Sequence, residues 1–495
     1  MNNRLIILIA LYLFTSFHCY AQVPNQPENS QAIGVVLSGG GARGFAHVGV
    51  LKTLEDFHIP IARIGGTSMG SFVACLYSVG YSPEEIRNLI LATDWDDLFD
   101  DRIQKRHQFY PDKSAPPGFV LEFGLTGVKL KLPTGLSAGK KLTNLIAALT
   151  AHSAGVRNFS DLPTPFTTVA TDLLTGEKVI LDGSRLSLPE SVRASMGVPI
   201  FFTPFDSGKE LLIDGGITSN SPVRAVKDIG ANYVIAVDAS ARLLSKENVQ
   251  SLTDVLDQIT SLPVKASSKS ELAEADLVIV PAISAGSRDF SDPATIISNG
   301  EEAAKLHSHD LERLQTSLPT GSRLTLKDQI KIESVILHGS AAQKQRYLLG
   351  SMGLEDAQDV TSLELYERVQ KIFEAGSFGS VDMRIAEGTA GKVINITPHV
   401  RGPSSLSFTA RYNDKEELIG IARHSYQRFG GRSSSLITKA EFGAIFDLEA
   451  SYMEYALFST GLFFRTSVFL NDNFEFLFDD QAPIARFDKN QRGLA

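Results

Sequence analysis

Two glycine-flanked turns and one aspartate hold the chemistry open to this chain. Gly66-Thr67-Ser68-Met69-Gly70 has the G-x-S-x-G form of a nucleophile elbow, lying between a short apolar run and a helix-like stretch of small and apolar residues from 71 to 79. A serine at a strand-to-helix junction sits on strained backbone, and the glycines two residues to either side remove Cβ atoms that would crowd the turn. The helix that follows would aim the positive end of its dipole at Ser68, where negative charge develops during attack. Gly39-Gly40-Gly41-Ala42-Arg43-Gly44 comes after an apolar run at 34–37 and offers successive backbone N–H groups to an oxyanion. Asp214 follows Leu211-Leu212-Ile213 and precedes Gly215-Gly216, which places a carboxylate on a tight turn. A nucleophile, a base and oxyanion donors are what acyl transfer requires, so the pattern predicts a serine esterase.

Gly39, Gly41 and Gly44 also satisfy the dinucleotide fingerprint G-x-G-x-x-G. The next strand, however, runs into the elbow at Gly66 and not to an acidic residue placed for a ribose, and Arg43 would crowd a pyrophosphate while suiting an anionic site. The oxyanion reading is preferred.

In this order and at this spacing, the three motifs resemble the marks of the patatin-like phospholipases: a G-G-G-x-R-G turn, a G-x-S-x-G elbow and a D-G-[AG] triplet. Further likeness runs through Ala46-His47-Val48-Gly49-Val50, Arg193-Ala194-Ser195-Met196-Gly197-Val198-Pro199 and Asn220-Ser221-Pro222-Val223, and the resemblance covers roughly residues 33–320. It implies a Ser-Asp dyad with no catalytic histidine, Ser68 as nucleophile and Asp214 as proton acceptor. The oxyanion hole would come from Gly39, Gly40, Gly41, Ala42, Arg43 and Gly44, with Gly40 and Gly41 at its centre and Arg43 orienting the loop or adding positive potential. Gly66, Gly70, Gly215 and Gly216 would let the elbow and the aspartate loop approach one another. No metal and no cofactor are implied, and the substrate would be a phospholipid or another acyl-ester lipid. A free aspartate, with a pKa near 3.9, is a poor base at neutral pH, so burial would have to raise it.

Two rival readings stand beside this one. An α/β-hydrolase triad in the order Ser-Asp-His would need a histidine after Asp214, and His307, His309, His338, His399 and His424 are available. A non-catalytic outer-membrane assembly or binding protein could retain the same fold without using it. His47, close behind the oxyanion turn, is expected to pack or cap and not to act as a base.

The chain of 495 residues is 43% hydrophobic, long enough for several domains with sizeable cores. A net charge of −9 gives no electrostatic support to nucleic-acid binding. Arg4 and the apolar stretch 5–17, followed by Cys19-Tyr20-Ala21, read as a signal peptide over 1–21, with a linker at 22–32. Its loss would remove Cys19 and leave Cys75 alone, expected in a buried packing role.

The fold class expected is α/β: a three-layer patatin-like hydrolase domain at 33–320, a small α+β domain at 323–400 and an incomplete antiparallel β-barrel region at 401–495. Hydrolase strands are expected at 34–37, 61–65, 166–170, 178–181, 211–213, 233–237 and 277–280, and Ser221 is expected to cap a helix that has Pro222 in its first turn. Residues 94–133 are poorly readable; Trp95, Phe99, Tyr110 and Phe119 suit either a lipid-facing cap or ordinary core. The β-α-α-β-β rhythm at 330–337, 342–349, 362–374, 381–385 and 392–396, with the turn Ala375-Gly376-Ser377-Phe378, resembles a POTRA domain, a module that binds partners by strand addition. From Leu406 the pattern alternates strictly, as in Leu436, Thr438, Ala440, Phe442, Ala444 and Phe446, with Lys439, Glu441, Asp447 and Glu449 on the other face. Apolar-out, polar-in strands mark outer-membrane barrels, which need at least about eight strands, whereas about five or six are legible here. The resemblance is thus to patatin-like enzymes fused through a POTRA unit to a barrel in a Gram-negative outer membrane; with too few strands to close, either this chain is a truncated form or this part is a soluble sheet. It implies an exported enzyme at the outer membrane or cell surface, or in the periplasm if the barrel is incomplete, meeting the membrane surface and outer-membrane assembly machinery.

Overall fold

The computed structural model describes residues 32–101, 121–126, 129–131, 134–240, 243–250, 252–315, 328–339, 348–350, 352–354, 358–373, 378–400, 404–413, 417–427, 434–442, 446–457, 462–479 and 482–494. The expected leader, the linker up to residue 31, Tyr110, Phe119 and the 374–377 part of the expected turn lie outside them.

Among the described residues, three sheets organise the chain. The first runs β10-β9-β1-β2-β5-β8-β7, with β6 added alongside β5. Its strands are β1 (Ile33–Leu37), β2 (Ile61–Gly66), β5 (Phe166–Asp172), β6 (Lys178–Leu181), β7 (Phe205–Asp206), β8 (Leu211–Asp214), β9 (Tyr233–Val237) and β10 (Leu277–Ile279). β10, β9, β1, β2 and β5 are parallel, while β6, β7 and β8 close one edge antiparallel. All seven expected strands are present within a residue or two, because short apolar runs bounded by glycine and polar turns are what a doubly covered sheet demands. Ile33, Val35 and Leu37 of β1 join one apolar core, and Val36 joins another with Val223, Val226 and Val234. Alternate side chains of one strand thus face two helical layers.

The helices are α1 (Ala46–Asp56), α2 (Met69–Val79), α3 (Pro83–Ala92), α4 (Trp95–Phe99), α5 (Lys140–Leu149), α6 (Leu188–Ser195), α7 (Val223–Asp228), α8 (Leu252–Leu272), α9 (Pro293–Lys305), α10 (Ser308–Gln315) and α11 (Ser362–Gln370). Ser221 does not cap α7. Its amide donates to Glu271 Oε2 and its hydroxyl is buried without a partner, so Pro222 takes the cap position. Trp95 is 3% exposed and packs with Phe45, Phe72, Phe99 and Phe290, so Trp95 and Phe99 are core and not cap. Cys75 is buried in α2, as a packing residue, and its burial pushes the thiol pKa up.

The second sheet, β12-β11-β14-β13, contains β11 (Ile330–Leu337), a short β12 (Asp359–Val360), β13 (Phe378–Glu387) and β14 (Lys392–Val400), with β11 parallel and β13 antiparallel to β14. It packs on the first domain through α5. Asn144 donates to Val381 O at 2.8 Å and accepts from Met383 N at 2.9 Å, which occupies edge strand β13 as a neighbouring strand would. Ala147 and Ala148 of the same helix enter the small sheet's core while Leu142, Leu145 and Ile146 stay in the first.

The third sheet is an antiparallel meander of β15 (Ser404–Asn413), β16 (Glu417–Gln427), β17 (Ser434–Phe442), β18 (Phe446–Leu457), β19 (Leu462–Asp479) and β20 (Ala482–Leu494). Those six strands agree with the five or six expected after residue 401, and a hairpin from the poorly readable region, β3 (Leu121–Thr126) and β4 (Lys129–Lys131), continues the sheet beside β15 to eight strands among the described residues. Register aligns Phe408, Ala422, Ala440, Leu448 and Leu470 across one face, and Ser407, Arg423, Lys439 and Glu449 across the other. The apolar face is the exposed one: Phe442 is 51% and Val468 58% exposed, against 5% for Glu441 and 2% for Ser451. That polarity is the reverse of a water-soluble sheet.

Candidate active site

The loops after β1, β2 and β9 meet at the carboxyl edge of the parallel sheet, where open α/β sheets place their ligands. Parallel pairing sets Leu37 beside Gly66 and beside Val237, so the glycine turn, the elbow and the loop at 238–240 start level with one another. β8 arrives antiparallel to β5, and its last residue, Asp214, pairs with Ala170, two residues beyond the Thr168 that pairs with Gly66. The aspartate is thereby delivered to the height of the elbow.

Ser68 holds φ 54° and ψ −125° at the start of α2, a strained conformation for a side chain with a Cβ. What enforces it is proximity. A Cβ on Gly66 would lie 2.5 Å from the Gly70 carbonyl, and one on Gly70 would lie 2.2 Å from Leu37 O. The Ser68 N–H donates to Ser195 Oγ at 3.0 Å, and Thr168 Oγ1 lies 3.1 Å from the same oxygen, so the end of α6 and β5 brace the turn.

Asp214 is 8% exposed. Its Oδ1 accepts from Gly216 N at 2.8 Å; its Oδ2 is buried with no hydrogen-bond partner. Burial pushes its pKa up to about 6, with the facing Ser68 hydroxyl and the Gly216 amide holding it back from rising further. The Ser68 hydroxyl sits near this carboxylate without closing a bond to Oδ2, a spacing that substrate can tighten. Gly215 fits because a Cβ there would meet Val169 O at 2.3 Å.

In the glycine turn, Gly39 N donates to Asn220 O at 3.2 Å and Ala42 N to Ser287 O at 2.8 Å. Among the described residues, Gly40 N and Gly41 N make no hydrogen bond, which leaves two adjacent donors in the turn beside Ser68. Gly41 has φ +58°, and a Cβ on it would strike Ser287 O at 2.0 Å. Gly44 rests on Met69 of α2. Arg43 is 7% exposed and spends its guanidinium on backbone carbonyls: Ala239 at 3.1 Å, Ser240 at 3.2 Å, Ile283 at 2.9 Å and Ala285 at 3.0 Å. It anchors the turn to the loops after β9 and β10, the loop-orienting one of the two roles the resemblance implied.

Sequence reasoning assigned no role to the residues that join these loops. Asn220 Nδ2 reaches Gly39 O at 3.4 Å and Ser268 Oγ at 3.1 Å, tying the glycine turn to α8. Glu271 of α8 takes the Ser219 hydroxyl, and the Ser221 amide at 2.9 Å, with Lys178 4.0 Å away. Asn220 stands in one of the family-like runs, but nothing in spacing pairs Ser219 with a glutamate 52 residues on.

The histidines lie elsewhere. His47 is fully buried, its Nε2 2.8 Å from Ser38 O, and burial lowers its pKa to about 4. His307, in the break between α9 and α10, faces Asp310 at 3.7 Å; His338 meets Asn395, His399 meets Asp382, and His424 meets Ser404. Neither carboxylate oxygen of Asp214 is bonded to a histidine. Among the described residues no group of three or more His, Cys, Asp or Glu side chains is placed to hold a metal ion.

Residues 35–227 match the sequence model of the patatin-like phospholipase family. Patatin-like phospholipase domain-containing protein 7 of Rattus norvegicus is 32% identical over 214 residues, 43% of this chain and 14% of that protein. An uncharacterized protein of Bacillus subtilis, YqhO, is 28% identical over 274 residues, 52% of this chain and 89% of its own length. Among solved structures, VipD from Legionella pneumophila is similar at 13% identity and a TM-score of 0.34, over 59% of this chain and 67% of that one, a likeness too loose to carry an argument. The chain spans only a small part of the longer relative's length. The similarity to the patatin-like phospholipase family lies over residues 35–227, the stretch that carries the glycine turn, the elbow and Asp214.

Proposed function

We propose that this chain is a serine lipid acyl hydrolase of the phospholipase A type, working through a Ser68-Asp214 dyad and an acyl-enzyme. The observation that carries the reading is the strained Ser68 facing a buried carboxylate with one free oxygen, beside two unbonded amides. Ser68 Oγ attacks the ester carbonyl and passes its proton to Asp214 Oδ2. The Gly40 and Gly41 amides and the start of α2 meet the charge that forms on the carbonyl oxygen. The protonated Asp214 then returns its proton to the departing alcohol. Water, deprotonated by the same carboxylate, attacks the acyl-enzyme and frees the fatty acid and Ser68. A pKa near 6 suits Asp214 to this exchange, since it is mostly ionised at neutral pH yet holds a proton better than a solvated aspartate.

We propose an outer-membrane location for it. Residues 323–400 act as a POTRA-like module and 401–495 as the start of an outer-membrane barrel in an exported protein, supported by the parallel β11–β14 pairing and the outward apolar face of β15–β20. Outer-membrane assembly machinery is the partner this implies, and membrane phospholipid the substrate class. A fluorophosphonate probe tests the enzyme reading directly: it should label the wild-type chain and not Ser68→Ala. An unlabelled but folded wild-type chain would favour a binding protein that keeps the fold without the activity.

A further inference from the structure

α8 has two opposed faces. On one, Ser267 Oγ donates to Gly216 O at 3.2 Å, Ser268 receives Asn220 and Glu271 holds Ser219 and Ser221, so this side grips the loop that follows Asp214. At about 100° per residue these positions fall together, and Val255, Ile259 and Leu262 recur at i, i+4 and i+7 on the other side. Those three side chains are 40%, 58% and 50% exposed, Ala266 continues their line, and Lys265 and Lys269 stand exposed along one flank. By the same spacing the position of Asp254 falls on the Lys265 flank about three turns nearer the helix start, and that of Asp257 on the side away from the stripe. A helix on a globular domain normally turns its apolar side inward; α8 turns serines and a glutamate inward and leaves the apolar stripe to solvent.

We propose that this stripe is a lipid-docking element that seats on a phospholipid surface and brings the Asp214 side of the site to it. The inference rests on the lipid hydrolase reading and deepens it. Three aliphatic side chains over two turns fall far short of the roughly 1,000 Å² that a stable protein interface buries. They suit shallow insertion at the headgroup–acyl boundary, where the Lys265 and Lys269 ammonium groups match lipid phosphate while their stems lie along apolar surface.

The test places an environment-sensitive fluorophore on Ile259→Cys in the full chain carrying Cys19→Ser; Cys75 is buried and escapes labelling. With phosphatidylethanolamine–phosphatidylglycerol vesicles the label should brighten, and it should be quenched when the acyl chains are brominated. A paired variant, Ile259→Asp with Leu262→Asp, should slow hydrolysis of vesicle lipid by about tenfold or more while the rate on a soluble short-chain ester stays within about twofold. An unquenched label on vesicles that the protein hydrolyses would overturn docking and leave the enzyme reading intact. Equal loss on both esters would make the stripe structural, and a signal that grows with protein concentration without lipid would assign it to a second copy of the chain. If the wild-type chain turns over neither ester, the enzyme reading fails, and lipid quenching still decides docking.

Discussion

Asp214→Asn should make the protein more stable and nearly inactive, each by a calculable amount. Burial raises the aspartate from its ordinary 3.8 to about 6 in the fold, so the native state pays to ionise it. The sign follows from proton counts. Between pH 3.8 and about 6 the folded chain holds more protons at this site than the unfolded chain, so stability falls as pH rises through that window and is level above it. At about 1.4 kcal/mol for each pH unit, the cost at neutral pH is on the order of 3 kcal/mol. Asparagine keeps the acceptor for Gly216 N and carries no charge, so it should recover most of that sum above pH 7 and none below pH 4. Thermal unfolding of the two proteins from pH 4 to pH 8 reads this directly: the melting temperatures should coincide at the acid end and separate, with the variant higher, toward neutrality. Ester hydrolysis should fall by roughly a thousandfold, and the wild-type kcat/KM should rise through pH 6 to a plateau. An asparagine variant that is less stable at pH 7.5, or a stability difference that does not change with pH, would refute the assignment of a buried base of raised pKa.

Further expectations follow from neighbouring geometry. Arg43→Ala removes an anchor made to four backbone carbonyls and leaves several of them buried and unpaired, so turnover should drop more than substrate binding weakens, with a stability loss of about 2–4 kcal/mol in urea titration. Gly41→Val should be worse, because a β-branched residue at φ +58° would also meet Ser287 O; normal turnover in that variant would remove the oxyanion assignment. Asn144→Ala unpairs Val381 O and Met383 N at the junction of the first two sheets and should cost about 2–3 kcal/mol, seen as a lower melting temperature with the active-site probe still reacting below it. Hydrolysis should persist in EDTA, since Asp214 needs no cation for its role; a loss restored by calcium would count against the dyad.

Much of this protein was legible along the chain because its strongest constraints are local. Part of the G-x-S-x-G elbow is written by sterics within five residues, since a Cβ at Gly66 would meet the Gly70 carbonyl, while the need for glycine at Gly70 comes from Leu37 O of the neighbouring strand β1. Seven of the eight strands of the first sheet announce themselves by short apolar runs, and the alternating strands after Leu406 by their period of two. Only tertiary structure decided what depends on distant segments. Along the chain Arg43 could orient its loop or add positive potential, and the carbonyls at 239, 240, 283 and 285 engage it as a loop anchor. The pKa of Asp214 is set by burial among β5, the elbow and α8, none of which adjoins it in sequence. Ser221 looks like a helix cap because capping is a local preference, and it is not one because Glu271 holds its amide. The hairpin β3–β4 joins a sheet nearly three hundred residues away, a pairing that no local propensity encodes.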